Sequence, residues 1–223
     1  MKSFIYSLLI VAGLSLLLSA RPATTSARAS GGASPMPKQC QPGKTSPEAF
    51  GWRWRSNTTV RINYLKDNFS VAEAEALSRG VNNWNAALKE IDARVVFTVD
   101  GEGVARDGAG ITVMRGMPRG KERVGEIRFH SLSNGRVRLM VIINPVVTDL
   151  NALTSLMTHE LGHSLGLADC YECRRGTTAM AAFKSNNKGN DVYEPSACDK
   201  YVVAAGYAGQ TGAQARVLPM EQK

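Results

Sequence analysis

A chain of 223 residues has room for one sizeable domain or two very small ones. Hydrophobic residues at 43% and charged residues at 21% exclude a wholly disordered protein and a multi-pass membrane protein. The formal charge of +8 is diffuse, with no Lys/Arg stripe interleaved with aromatics, so nucleic acid is not an expected partner.

Residues 1–20 (MKSFIYSLLIVAGLSLLLSA) set one lysine, Lys2, before an apolar run from Phe4 to Leu18. The run is too short for a comfortable membrane span and has the shape of a secretory signal. Small residues offer cleavage after Ala20 or after Ala29, so residues 1–29 are read as the signal segment. Cleavage after Ala29 removes Lys2, Arg21 and Arg28 and lowers the charge from +8 to +5. The expected location is secreted or periplasmic, with no membrane contact after cleavage. An uncleaved anchor is the alternative. An oxidising compartment favours paired cysteines, and Cys40, Cys170, Cys173 and Cys198 allow three pairings. Cys170-x-x-Cys173 also has the form of a redox pair or of half a zinc site. It lacks a βαβ context for the first and a second such pair for the other.

Residues 30–49 lie in a stretch rich in Ser, Ala, Pro, Gly and Thr and are read as a flexible linker. Structure is expected to begin near Phe50-Gly51-Trp52. Thr58–Tyr64 alternates and is rich in β-formers, which predicts a strand. Ser70 then caps a helix whose Val71, Ala74, Leu77, Val81, Trp84 and Leu88 form one apolar stripe. Strands follow at Arg94–Val99, Gly110–Met114 and Gly125–Phe129. The glycine-rich stretch from Gly101 to Gly110 lacks the Gly-Lys-Ser/Thr ending of a phosphate loop and reads as a connection. Asn134-Gly135 predicts a hairpin turn into a strand at Val137–Ile143. Asp149 caps a second helix running to about Leu165, which Gly166 ends. Pro195-Ser196 opens a last helix to about Ala205, and residues 208–223 read as a frayed tail. This order predicts a single α+β domain over residues 50–207.

The second helix carries His159-Glu160-Leu161-Gly162-His163. Histidines four apart share one helix face, so both imidazoles can reach one Zn²⁺. Glu160 lies beside them and can take a proton from a water on that metal, then hand it to a leaving amine. Gly166, three residues on, lets the chain fold back in a left-handed turn and bring Asp169 in as third ligand. Two imidazoles and one carboxylate leave a fourth position open, as catalytic zinc requires.

His159-Glu160-x-x-His163-x-x-Gly166-x-x-Asp169 resembles the metzincin zinc peptidase motif, in the form with aspartate for the third histidine found in small secreted snapalysin-like proteases. The resemblance implies a twisted, mostly parallel sheet of about five strands, an active-site helix, a methionine turn and a C-terminal helix. It implies one catalytic Zn²⁺ held by His159, His163 and Asp169, with Glu160 as catalytic base. Thr177–Ala181 is similar to the methionine turn, with Met180 as an apolar floor under the metal. Gly125–Phe129 is similar to the edge strand that pairs with an extended substrate in matrixins. The sequence departs from relatives in that family at several points. His130 is the one further histidine and reads as surface, so the histidines of a second zinc are missing. The tyrosine ligand that follows the methionine in astacins is replaced by alanines. Pro37-Lys38-Gln39-Cys40 is faintly similar to a zymogen cysteine latch, although a disulfide suits Cys40 better. The expected function is a secreted, monomeric zinc endopeptidase acting on protein or peptide substrates. The alternatives are a secreted, non-catalytic zinc-containing binding protein and a thiol–disulfide protein using Cys170 and Cys173.

Overall fold

The computed structural model describes residues 36–104, 110–120, 123–131, 137–182 and 192–208. All of them belong to one compact unit that begins at Gly31. The alternating segment forms strand β1 (Thr58–Tyr64), with Val60, Ile62 and Tyr64 buried and Thr59 and Arg61 exposed. Helix α1 (Val71–Glu90) opens with a capping box. The Ser70 hydroxyl accepts from the Glu73 amide, and the Glu73 carboxylate accepts from the Ser70 amide at 2.8 Å. Leu77, Val81, Trp84 and Leu88 of the predicted stripe are buried, whereas Val71 in the first turn is exposed.

Four more strands follow: β2 (Val95–Glu102), β3 (Gly110–Arg115), β4 (Gly125–Ser131) and β5 (Val137–Ile143). They complete a five-stranded sheet in the order β2-β1-β3-β5-β4, in which only the β4–β5 pair is antiparallel. Helices α2 (Leu150–Ser164) and α3 (Ala197–Tyr207) complete the α+β architecture expected from the sequence. Helix α1 packs against α2 and β2, and α2 also meets β4, the strand at one edge of the sheet.

At the other edge, the Asn85 side chain of α1 accepts from the Phe97 amide and donates to the Phe97 carbonyl, both at 2.8 Å. That amide covers the middle of the outer edge of β2, where an unpaired backbone would invite another chain.

Several boundaries differ from the sequence reading. Gly101 and Glu102, read as loop, continue β2 and pair with Asn63 and Tyr64 after a register shift. Backbone pairing with β1 overrides the turn-rich composition there. Residues 40–50, read as linker or as its border, are tied to the domain. Cys40 is bonded to Cys198 in α3, Cys40 and Ser46 are buried, and Ala49 forms an antiparallel bridge with Leu167. Composition measures what side chains can bury, and it misses a covalent staple and main-chain bonds. Cys40 is therefore a disulfide partner, and the second disulfide joins Cys170 to Cys173. The signal segment, the Asn134-Gly135 turn, Phe183 and residues 209–223 lie outside the described residues. Among the described residues, no helix is long and apolar enough to cross a membrane.

Candidate metal centre

Asp149 starts α2 by accepting from the Ala152 amide at 2.7 Å. The helix runs through the interior, with Leu153, Leu156, Met157 and Leu161 fully covered, so the residues beside them on its face are held rigidly. His159 and Glu160 are buried and His163 is half-buried. Each imidazole is fixed through its Nδ1, His159 by the Ala179 carbonyl at 2.8 Å and His163 by the Leu167 carbonyl at 2.7 Å. A carbonyl only accepts, so Nδ1 carries the proton and Nε2 presents a lone pair.

The two Nε2 atoms face each other at 3.2 Å. The chain then leaves α2 through a Schellman turn. The Gly166 amide donates to the His163 carbonyl, the Leu167 amide donates to the Gly162 carbonyl, and Gly166 takes φ +93°. A side chain at Gly166 would strike the Trp52 carbonyl, so both the turn and its packing require glycine. Past the turn, Phe50 donates to the Gly166 carbonyl at 2.9 Å and Ala168 donates to the Glu48 carbonyl at 2.7 Å. These bonds aim Asp169 back at the helix. Its Oδ1 lies 3.1 Å from His159 Nε2 and 3.4 Å from His163 Nε2.

One ligand atom from each of His159, His163 and Asp169 thus falls within 4.8 Å of the others, and this trio could hold a metal ion. Two lone pairs and a carboxylate oxygen repel one another unless they share a cation, so the arrangement itself fits one. Burial pushes Asp169 up, but hydrogen bonding and charge from His159 and His163 outweigh it and hold the carboxyl far below the usual carboxylate range. Burial pushes His163 down, and its bond to Asp169 together with the charges of Glu160 and Asp169 outweighs that and raises it.

The Glu160 carboxyl is raised by burial, which the charges of His159 and His163 only partly offset. Its Oε2 is buried with no hydrogen-bond partner among the described residues. A cleft of about 350 Å³ opens beside the four residues, lined also by Phe50, Arg123, Ile127, Phe129 and Tyr171. Gly125 and Glu126, at the start of β4, line it too.

Met180 is fully buried and packs against Gly162 in α2, one residue before His163. The adjoining Ala179 supplies the carbonyl for His159. Asp199, in the first turn of α3, accepts from the Ala179 amide at 2.9 Å and from the Thr178 hydroxyl. It also accepts from the Ser196 amide at 2.8 Å, closing a capping box. His130 is exposed in β4, and it pairs across the strand with Arg138.

Sequence reasoning missed Asp199, which lies in the first turn of the helix that Pro195-Ser196 opens. It also missed Tyr171, whose hydroxyl donates to Asp169 Oδ2 at 3.2 Å. The phenol is itself raised, first by the charge of Asp169.

No protein-family profile and no curated protein matches the chain. Among solved structures it is similar to a chain described as the structure of a chaperone-substrate complex, at 13% identity and a TM-score of 0.36. The similarity covers 70% of this chain and spans only 39% of the other. A likeness that distant carries no argument about function.

Proposed function

We propose that the chain is an exported zinc-dependent endopeptidase of the metzincin type. The observation that carries this reading is the convergence of His159, His163 and Asp169 on one point, beside a buried glutamate with an unpartnered oxygen. Two imidazoles and a carboxylate suit one Zn²⁺, and three protein ligands leave a position for water. When bound, the ion would lower the pKa of that water and polarise the scissile carbonyl.

The chain's own residues do the rest. Glu160 accepts a proton at its carboxylate and returns it to the departing amine. Burial raises its pKa above the ordinary carboxyl value, which favours taking up the proton. The Ala179 and Leu167 carbonyls hold the imidazoles in the tautomer that ligates. Among the described residues, strand β4 has one strand neighbour, β5, and its other edge would be available to pair with an extended peptide laid along the cleft. The apolar walls at Phe50, Ile127 and Phe129 keep bulk water from the peptide. Met180, packed against Gly162, would form an apolar floor beneath a bound ion. Two disulfides and the apolar segment at residues 4–18 favour a secreted or periplasmic protein.

Glu160→Gln should bind zinc as the native chain does and lose peptide cleavage by about 10²–10⁴-fold, the usual contribution of a general base. A quenched peptide library, run with and without chelator, measures it. Native-level cleavage by the variant would remove the mechanism. Zinc binding without any chelator-sensitive cleavage by the native chain would instead favour a non-catalytic zinc-binding protein.

A further inference from the structure

We propose that the small ring closed by Cys170 and Cys173 is a positioning device for Asp169, with Tyr171 at its tip holding the second carboxylate oxygen away from the metal. The inference rests on the metal-centre reading above and concerns how the third ligand is presented. The ring starts on the residue after Asp169, and the disulfide spans a sequence separation of 3. Its first residue is fixed on both sides by main-chain bonds. The Cys170 amide donates to the Met180 carbonyl at 2.7 Å, and the Ala182 amide donates to the Cys170 carbonyl at 3.2 Å. Cys170 is 1% exposed, whereas Tyr171 is 70% exposed.

An exposed tyrosine in a surface turn would ordinarily sample many positions. Here the disulfide bends the turn back on itself, so the hydroxyl meets Asp169 Oδ2 at 3.2 Å. Oδ1 faces the two imidazoles at 3.1 and 3.4 Å, and Oδ2 is the oxygen that Tyr171 occupies. A hydrogen bond to Oδ2 weakens that oxygen as a donor to a cation, so Oδ1 would be the preferred ligand atom. With a metal bound, the ring would favour Asp169 as a one-oxygen ligand and so leave a position for water. Residues 171 and 172 contribute no buried side chain, so the tip of the ring adds nothing to the core.

The test measures Zn²⁺ affinity by competition with a chelating dye and records the visible absorption of the Co²⁺-loaded protein. Four forms of the full chain are compared: native, Tyr171→Phe, Cys170→Ser with Cys173→Ser, and the triple variant. Tyr171→Phe and the serine pair are each expected to weaken zinc binding by about 10–100-fold, as loss of a group orienting a ligand usually does. Both should shift the cobalt spectrum toward the weaker bands of higher coordination. Because Tyr171 acts through the ring, the triple variant should bind no worse than the serine pair. Unchanged affinity and a superimposable spectrum in Tyr171→Phe would overturn the proposal, as would fully additive losses in the triple variant. Tyr171→Phe alters an exposed side chain, so it decides the matter even if the serine pair fails to fold. A native chain that takes up neither metal would instead remove the metal-centre reading, and the ring's role with it.

Discussion

Glu160 and His163 carry raised pKa values in the metal-free chain, and their signs combine. A raised His163 contributes stability that is complete below its unfolded value of 6.5 and is lost as pH rises through the higher folded value. A raised Glu160 costs stability once pH passes its unfolded value of 4.5, because the buried group resists ionising. Asp169 is lowered, so its contribution is present above 3.8 and is constant across this window. Chelator-treated protein should therefore melt at a lower temperature at pH 8 than at pH 5.5. The zinc-loaded protein should gain from the same rise in pH, because its ligands must be deprotonated. Thermal melts at the two pH values, with and without EDTA, measure this. A chelated chain that grows more stable toward pH 8 would contradict the electrostatics. Single residues of the site were legible to different degrees. His159, Glu160 and His163 could be read because helix geometry fixes their relation, and Asp169 because Gly166 sets the turn before it. Tyr171 and Phe50 could not. Tyr171 reaches Asp169 through the ring, and Phe50 lies 113 positions before His163, which it approaches at 6.5 Å.

Helix α1 crosses α2 closely enough that Gly80 is part of the contact. A Cβ there would lie 2.9 Å from the Thr154 carbonyl oxygen and 3.0 Å from the Met157 Cβ. In an exposed helix, Gly→Ala would gain up to about 1 kcal/mol. Here the obstacle is backbone of the helix that carries the site, so the overpacking cost of about 1–3 kcal/mol wins. Gly80→Ala should lower stability in urea titration, and a stabilised variant would mean that the crossing is looser than described. The two helices are also tied by the Trp84 indole, which donates to the Thr158 carbonyl at 2.7 Å. Elements of this kind were legible where pattern and caps agree. The Ser70 and Asp149 helix starts and the cores of all five strands follow from local sequence. The continuation of β2 through Gly101 and Glu102 did not, since pairing with β1 is a tertiary effect.

For the molecule as a whole, the Cys40–Cys198 disulfide joins residues 158 apart and encloses nearly all of the domain. It fastens the segment that then pairs, at Glu48–Phe50, with the turn leading to Asp169. Replacing both cysteines by serine should cost about 2–5 kcal/mol, read as a fall in the urea midpoint. An unchanged midpoint would mean that the segment is held by its hydrogen bonds alone. The α+β class could be read from element order and the mostly parallel sheet only from the resemblance carried by the 159–169 motif, while the fastening of residues 40–50 could not be read, because four cysteines allow three pairings. Zinc-edge X-ray absorption of the purified chain measures the coordination of the ion at His159, His163 and Asp169 directly. The prediction is one zinc per chain with two imidazole nitrogens at about 2.0–2.1 Å and oxygen in the remaining positions, the aspartate contribution disappearing in Asp169→Ala. A zinc bound by sulfur, a sphere closed by four protein ligands, or no zinc at all would contradict it.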